Sequence, residues 1–272
     1  MKQITVVVRV FNRIDDLECC LKVIKGLWKQ NHYHIVLVSN GKKSGFTVPT
    51  ALENLVDSHI CLEENAGHLK GNSQLLRAAI PCIPIESDYT VILEADTWLL
   101  DDSLITKYCS KMEKEGSVWS SSEWISNTWS VGLDFAIISS EYLRDNPSLV
   151  DYGEHPEKTV CNYLMDDKQH ILFINENMPV HPSKTFRTLY PKCNYRFNTF
   201  VTSKMVTHHV EELDFSLEEK KHYANLCLEE DFFTVSLVQN RQLFRLKHRL
   251  IALLVRVLPQ SSWFKRKRRW QG

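Results

Sequence analysis

Residues 89–100 read YTVILEADTWLL, an apolar run typical of a buried strand that ends abruptly in two acids. Carboxylates at positions i and i+2 of a strand point to the same side, so Glu94 and Asp96 are expected together at the strand end. At the carboxyl edge of an open α/β sheet, where ligands bind, such a pair can hold a hard divalent cation that neutralises a diphosphate. The alternative is that the two acids only form an Asx turn or a helix cap.

Strand-like and helix-like segments alternate over residues 1–120. Apolar runs predict strands at residues 4–10, 34–39, 59–62 and 89–93. Apolar residues at helical spacing predict helices at residues 15–28, 49–55, 72–80 and 103–115. This alternation is typical of βαβ units and predicts an α/β fold with a mostly parallel sheet flanked by helices. Further strands are expected at 118–124, 133–139 and 171–174, and a further helix at 156–166.

The composition is that of an ordinary globular protein, with 43% hydrophobic and 24% charged residues in a chain of 272. Its eight cysteines are scattered without a C-x-x-C pair, which indicates reduced thiols rather than a disulfide framework or a zinc site. The first three residues run directly into a predicted strand, without the basic, apolar and small-residue series of a signal peptide. We therefore expect a cytoplasmic location.

The formal net charge of zero hides an asymmetry between the body of the chain and its tail. Residues 241–272 hold ten Lys and Arg and no acid, whereas residues 1–240 hold 23 basic and 33 acidic side chains. Residues 241–258 also have helical periodicity, with arginines on one arc and leucines on the opposite arc. The chain is accordingly divided into a domain of residues 1–240 and a basic amphipathic tail of residues 241–272.

The sequence of this tail is compatible with three partners. Its longest apolar run, residues 250–255, is far shorter than the roughly 20 residues that span a bilayer. Cations beside Trp263, Phe264 and Trp270 favour a position on an anionic membrane surface, at the inner face of the membrane. Packing on the acidic body is the first alternative, and nucleic acid, which we do not expect as a partner, is the second.

Four segments of the chain together resemble a known family in their order and spacing. Residues 4–13 read ITVVVRVFNR, a strand that ends in an aromatic-Asn-Arg turn, and residues 35–41 read IVLVSNG. Residues 65–72 read NAGHLKGN, a loop with an Asn-x-Gly pattern, and Glu94-Ala95-Asp96 stands where the family has its Asp-x-Asp motif. The chain resembles the GT-A glycosyltransferases, especially the large family 2, and the resemblance implies a GT-A (nucleotide-diphospho-sugar transferase) fold.

The resemblance also implies a nucleotide-sugar donor site with a divalent metal. Asp96 is expected to ligate Mn²⁺ or Mg²⁺ directly, while Glu94 holds the ribose or the water shell of the metal. Many members complete this site with a late histidine, for which His208 and His209 are the candidates, and an imidazole ligand would favour Mn²⁺. The alternative for the pair is a histidine doublet at a strand end without a ligand role. The expected contacts of the nucleotide are Phe11, Asn12, Arg13, Asn40, Lys70 and Asn72.

An inverting transfer needs a base that deprotonates the acceptor hydroxyl. The family supplies this base as an acid at the start of a helix beneath the acceptor site. Glu157 is the first candidate, because Pro156 favours the first turn of a helix, and Glu154 just before it is the second. The alternative is that Glu157 only complements the helix dipole.

Three positions depart from the pattern of the family. Arg9 stands where many relatives have proline, and Glu94 replaces the first Asp of the motif with its charge kept. Ser39 replaces an Asp that often contacts uracil. Because of this last change, the identity of the nucleotide base stays open among UDP, GDP, dTDP and CMP donors.

The expected function is a metal-dependent, inverting glycosyltransferase that moves a sugar from a nucleotide-sugar donor to a hydroxyl of a glycan or lipid-linked acceptor, in cell-surface polysaccharide synthesis. A non-catalytic, membrane-peripheral adaptor with the same fold is the alternative, and it would bind neither metal nor donor. A nucleotidyltransferase is less favoured, because a triphosphate cradle needs glycines after the first strand and residues 11–15, FNRID, contain none.

Overall fold

The computed structural model of the chain describes residues 1–125, 129–174, 176, 180–182, 184–189, 204–207, 217–235, 241–259 and 264–266. The strands are β1 (Gln3–Val10), β2 (His32–Asn40), β3 (Ser58–Leu62), β4 (Tyr89–Glu94), β5 (Trp98–Leu99), β6 (Trp119–Ile125), β7 (Trp129–Ser139), β8 (Ile171–Phe173), β9 (Val180–Pro182), β10 (Met205–Val206) and β11 (Phe264–Arg266). The α-helices are α1 (Ile14–Leu27), α2 (Thr50–Glu53), α3 (His68–Ala79), α4 (Ser103–Glu115), α5 (Ser140–Asp145), α6 (Pro156–Asp166), α7 (Lys184–Leu189), α8 (Leu217–Leu228) and α9 (Arg241–Val257).

Seven strands form the central sheet, in the order β3-β2-β1-β4-β7-β6-β8. The first four are mutually parallel, β7 runs antiparallel to β4 and β6, and β8 runs parallel to β6. From β1 the chain builds outward to β3 and then returns to place β4 on the other side of β1. The strand order therefore reverses between β1 and β4, which is the position where open α/β sheets bind ligands.

Both faces of this sheet are covered by helices. Val6 and Val8 of β1 belong to a hydrophobic cluster shared with α1 and α4, whereas Val7 belongs to a second cluster shared with α3 and α6. Because successive strand residues point to opposite faces, Arg9 lies on the same side as Val7. The residue is only 3% exposed, so β1 carries a buried cation near its carboxyl end.

The predicted α/β architecture, a mostly parallel sheet flanked by helices, is confirmed. Two boundaries differ by four residues: the strand expected from residue 133 begins at Trp129, and the helix expected from residue 72 begins at His68. Gly67 has a φ of 86°, a conformation that glycine adopts without strain, and it turns the chain into the helix one turn early. Lys70 consequently lies on α3 and not in the preceding loop.

The last two described helices pack on the cluster shared with α1 and α4. Tyr223 and Leu226 of α8 are buried there, and so is Ile251 of α9. Within the described ranges, no helix combines the length and apolar character needed to cross a bilayer. The division of the chain at residue 240 stays a prediction.

Candidate functional site

A cavity of about 260 Å³, here called the first cavity, opens beside the carboxyl ends of β1 and β4. Its walls come from the turn after β1, the turn after β4 and α3. The lining residues are Arg9, Val10, Phe11, Asn12, Arg13, His68, Asn72, Leu75, Glu94, Ala95 and Asp96. The sequence-predicted acids and the Phe-Asn-Arg turn thus meet at the point where the strand order reverses.

A second cavity of about 380 Å³ adjoins the first at the acidic turn. The two cavities share His68, Asn72, Glu94 and Asp96, so together they form one cleft. The other wall of the second cavity comes from β7 and from the start of α6. This wall contributes Gly132, Leu133, Asp134, His155, Pro156 and Glu157. Such a cleft has room for two reactants with carboxylates between them.

The acidic turn after β4 is fixed by backbone hydrogen bonds. Ala95 N donates to Arg9 O at 2.9 Å, and Thr97 N donates to Glu94 O at 2.8 Å. Because β4 ends at Glu94, Asp96 lies in the turn and not on the strand. Both carboxylates reach the same cleft, as the sequence predicted, but a turn brings them together and not the alternation of a strand.

Glu94 is held by the buried arginine of β1. Arg9 Nη2 lies 3.5 Å from Glu94 Oε1, and Arg9 Nη1 donates to Asn72 Oδ1 at 2.8 Å. Arg9 also donates to the carbonyl oxygen of Leu133 on β7. A buried charge is tolerated only when it is paired and hydrogen-bonded. Arg9 therefore ties together β1, α3, β4 and β7 while it neutralises the Glu94 carboxylate.

Asp96 is contacted by two cations from different parts of the chain. Arg13 Nη1 lies 3.7 Å from Asp96 Oδ2 and 3.9 Å from Asp16 Oδ2. Lys220 Nζ of α8 donates to the backbone oxygen of Asp96 and to Asp16 Oδ1, each at 2.6 Å. The side chain of Lys220 is 2% exposed, whereas that of Arg13 is 32% exposed. Lys220 braces the turn from the interior, and Arg13 faces the cleft.

Glu157 lies in the first turn of α6, which begins at Pro156 as predicted. It is half-buried and lines the second cavity, whereas Glu154 is exposed and precedes the helix. Nearby, burial raises the pKa of Tyr152 to about 12; Arg9 opposes this rise, and Glu94 and Glu157 add to it. Tyr152 therefore stays a neutral hydroxyl at neutral pH, and the carboxylates that line this wall are those of Asp134 and Glu157.

The wall of the second cavity depends on an irregularity between β6 and β7. The strand register shifts between Ser121 and Glu123, where Ser122 of β6 stands opposite four residues of β7, 132–135, so the bulge is in β7 and begins at Gly132. An added Cβ on Gly132 of β7 would lie 2.0 Å from Ser122 Oγ. The bulge and the glycine together allow the close approach that sets the positions of Leu133, which accepts from Arg9, and of Asp134.

Replacing Gly132 by Ala is expected to lower the free energy of unfolding by about 1–3 kcal/mol, because the methyl group overpacks the bulge. The matched control is Gly153→Ala, since a Cβ on Gly153 meets no described atom within 4 Å. Urea denaturation of both variants measures the difference. Equal free energies of unfolding for the two variants would show that the bulge accommodates the methyl group and does not hold this wall of the cavity in place.

The sequence-predicted site residues have different outcomes. Phe11, Asn12, Arg13 and Asn72 line the first cavity, together with both acids. Lys70 is exposed on α3 and does not line either cavity. Asn40 is fully buried at the end of β2, where its amide has no hydrogen-bond partner among the described residues. His208 and His209 lie outside the described residues, so their role as ligands stays a prediction.

Sequence reasoning missed three polar residues of the cleft, His68, Asp134 and His155. His68 reaches the cleft because α3 begins one turn earlier than expected. His155 has a φ of 51°, an unusual left-handed conformation for a residue with a side chain, and it turns the chain into α6. No motif marked Asp134, whose position follows from pairing of β7 with β4. Arg9 departs from the family pattern in sequence, and its contact with Glu94 is visible only in the structure.

Ser39, His59 and Glu53 form a hydrogen-bonded chain outside the cleft. Ser39 Oγ lies 2.9 Å from His59 Nε2, and His59 Nδ1 lies 2.8 Å from Glu53 Oε1, as in a nucleophile–histidine–acid arrangement. Ser39 is fully buried and lines neither cavity of the cleft. A nucleophile must reach its substrate, so we interpret this chain as a link between β2, β3 and α2.

The two acids of the cleft can supply part of the coordination shell of a divalent metal. Within the described ranges, no three His, Cys, Asp or Glu side chains are grouped so that they alone would hold a metal ion. Mg²⁺ and similar hard ions are commonly bound by one or two carboxylates, with phosphate oxygens and water completing the shell. Asp96 and Glu94 supply such a partial set, so they fit an ion that arrives with a diphosphate.

Comparisons with known proteins identify the fold. No family model matches the chain, and no curated protein sequence matches it. A mannosyltransferase from Pyrobaculum calidifontis, solved with GDP-Man and Mn²⁺, superposes with a TM-score of 0.51 at 14% identity and covers 93% of this chain and 86% of that chain. A 4-diphosphocytidyl-2C-methyl-D-erythritol synthase from Anaerococcus prevotii gives a TM-score of 0.43 at 8% identity, covering 64% of this chain and 86% of that one. The first likeness shows a GT-A-like fold; the second is too distant to support an inference.

Proposed function

We propose that this chain of GT-A-like fold is a metal-dependent, inverting glycosyltransferase, which moves a sugar from a nucleotide-sugar donor to a hydroxyl of a glycan or lipid-linked acceptor. One observation carries the proposal: Glu94 and Asp96 stand between two adjoining cavities, and Glu157 lines the far one. A protein of similar fold was solved with GDP-Man and Mn²⁺, which makes a nucleotide sugar and a divalent metal reasonable ligands to test.

In this proposal the first cavity holds the nucleotide diphosphate. Phe11, Asn12 and Arg13 line it on one side, and His68 on the other. The Arg13 guanidinium, 3.7 Å from Asp96 Oδ2, supplies a positive charge at the place where the diphosphate would lie. Arginine suits this role because its planar group can contact two phosphate oxygens at once.

The two acids have different roles in this proposal. Glu94 is already paired with buried Arg9, so its charge is largely neutralised and it suits a contact to the ribose or to metal-bound water. Asp96 faces the partly exposed Arg13 and is the direct ligand. A divalent ion held there would neutralise charge on the leaving diphosphate. His208 or His209 is proposed as an additional ligand.

The second cavity is the proposed acceptor site, with Glu157 as the base. Its carboxylate would take the proton of the acceptor hydroxyl as the oxygen attacks the anomeric carbon from the side opposite the diphosphate. The new bond to oxygen forms while the bond to the diphosphate breaks, so the anomeric configuration inverts. Glu154 is the second candidate, but it is exposed and lies outside the lining of the cleft.

Two other functions make different predictions. A nucleotidyltransferase would be expected to cradle a triphosphate with glycines after β1, and residues 11–15 contain no glycine. A non-catalytic adaptor would bind neither Mn²⁺ nor a nucleotide sugar. Binding of a donor therefore separates the proposed enzyme from the adaptor before any acceptor is known.

Donor binding is expected to raise the midpoint of thermal unfolding by about 5 °C for one of the UDP, GDP, dTDP and CMP sugars, because a ligand that binds only the folded chain stabilises it. The shift should require Mn²⁺ or Mg²⁺ and disappear with EDTA. Asp96→Asn should lose it, since this removes the direct ligand. Differential scanning fluorimetry measures all four donors in parallel.

The control for this experiment is Asp101→Asn, which makes the same chemical change five residues further along the chain. Asp101 pairs with Lys204 at 3.3 Å and does not line the cleft, so this variant should keep the donor shift. If none of the four nucleotides shifts the native chain, with metal or without, the adaptor is the better interpretation.

A further inference from the structure

Helix α9 presents two different apolar faces. Ile251 is 2% exposed and belongs to the cluster shared with α1 and α4, and Leu254 packs against that cluster. Arg249 Nη2 also lies 3.3 Å from Glu229 Oε2, just beyond the end of α8. Ile251 and Leu254 attach one side of the helix to the body of the protein, which is the alternative of packing on the body, and Arg249 adds an exposed ion pair from another side.

A second set of apolar residues on α9 faces solvent. Leu246, Leu250, Leu253 and Val257 are between 56% and 71% exposed. Their spacing of three and four residues places them along one side of the helix. A contiguous row of exposed large aliphatic residues is unusual for a protein surface in water and marks an interaction site. We call this row the exposed stripe.

The charged residues of the segment that carries the exposed stripe have a single sign. Residues 232–272 contain no acid, and residues 241–272 contain ten Lys and Arg. Arg256, on α9 itself, is exposed. An apolar row with cations and no anions along the same segment matches the interface of an anionic bilayer, where acyl chains lie next to negative headgroups.

We propose that the exposed stripe docks the protein on an anionic lipid surface, with α9 lying in the plane of the interface and its opposite side attached to the body. A second copy of the chain fits this surface less well. Two such helices side by side would bring ten cations from each chain together, and the segment offers no acid to pair with them across the interface. This inference does not depend on the proposed sugar transfer.

The test is sedimentation of the full chain with vesicles of phosphatidylcholine alone or mixed with phosphatidylglycerol. We expect binding to the mixed vesicles, weaker binding to the neutral ones, and loss of binding at high salt, because salt screens the attraction. Leu250→Ser/Leu253→Ser should bind the mixed vesicles about tenfold or more weakly, since the buried apolar area is lost. Point variants are used because truncation would also remove Ile251 from the core.

The matched control is Ile85→Ser/Met165→Ser, which removes two exposed apolar residues elsewhere and should leave vesicle binding unchanged. A second stripe variant, Leu246→Ser/Val257→Ser, gives an independent result if the first unfolds at a lower temperature. Equal binding of native and stripe variants would overturn the proposal. A second result would also overturn it: the native chain does not bind anionic vesicles but forms dimers in light scattering, and the stripe variants are monomeric. A second copy of the chain would then cover the exposed stripe.

Discussion

Replacing Glu157 by Gln is expected to lower the rate of sugar transfer by about 10²–10⁴-fold, the usual contribution of a general base. The amide keeps the size and position of the side chain in the second cavity but cannot accept the proton of the acceptor. Donor binding should be unchanged, because Glu157 lines only the second cavity. The measurement is release of the nucleotide from the donor, a diphosphate for UDP, GDP or dTDP sugars and CMP for a CMP sugar, with a membrane lipid extract as acceptor and with water alone.

The control is Glu154→Gln, which alters the exposed acid just before α6. This variant should retain nearly native turnover. If Glu154→Gln loses activity and Glu157→Gln does not, the base has been assigned to the wrong acid. If neither loses activity while both still bind the donor, Glu157 only complements the dipole of α6, the alternative that the sequence left open.

Replacing Lys220 by Met is expected to lower the free energy of unfolding by about 3–5 kcal/mol, because buried Asp16 loses its close partner and keeps only the more distant Arg13, at 3.9 Å. Lys220 Nζ lies 2.6 Å from Asp16 Oδ1, and the two side chains are 2% and 6% exposed. The ammonium group also lies 4.1 Å from the centre of the Trp98 ring. Urea denaturation of the full chain measures the loss, and donor-induced stabilisation of the folded variant shows whether the turn at Asp96 has moved.

Lys221→Met is the matched control, since this neighbouring lysine makes a partly exposed pair with Glu218 at 3.2 Å. Such i,i+3 pairs contribute only about 0.3–0.5 kcal/mol, so the variant should be close to native. The double variant Asp16→Asn/Lys220→Met should cost less than the sum of its two single changes, because neither partner is then left alone. Additive losses would show that Lys220 acts through its contact with Asp96 and not through Asp16.

Lys220 also explains why the cleft needs the C-terminal part of the chain. Its ammonium donates to the backbone oxygen of Asp96, which is 124 residues earlier in the sequence. Helix α8 thereby contacts the backbone of the acidic turn on the side of the protein interior. Arg13 contacts the Asp96 carboxylate at 3.7 Å on the side of the cleft. We infer that loss of α8 would disturb the proposed metal ligand even though no residue of α8 lines the cleft.

The sequence by itself determined the fold class, most element boundaries and the acids at the centre of the cleft. These features follow from local rules: alternation of apolar segments predicts βαβ units, and an apolar strand that ends in acids predicts a polar site at the sheet edge. Pro156 fixed the start of α6 in the same way. Each of these signals lies within a few residues of the feature that it predicts.

Only the tertiary structure decided which other side chains join those acids. Arg9 meets Glu94 because β1 pairs with β4, and Asp134 reaches the cleft because β7 adds antiparallel to β4. Lys220 meets Asp96 because α8 packs against α1. These contacts join segments up to 204 residues apart, and no local pattern encodes such a pairing. The sheet order and the packing of buried charges, which must find partners to be stable, select them.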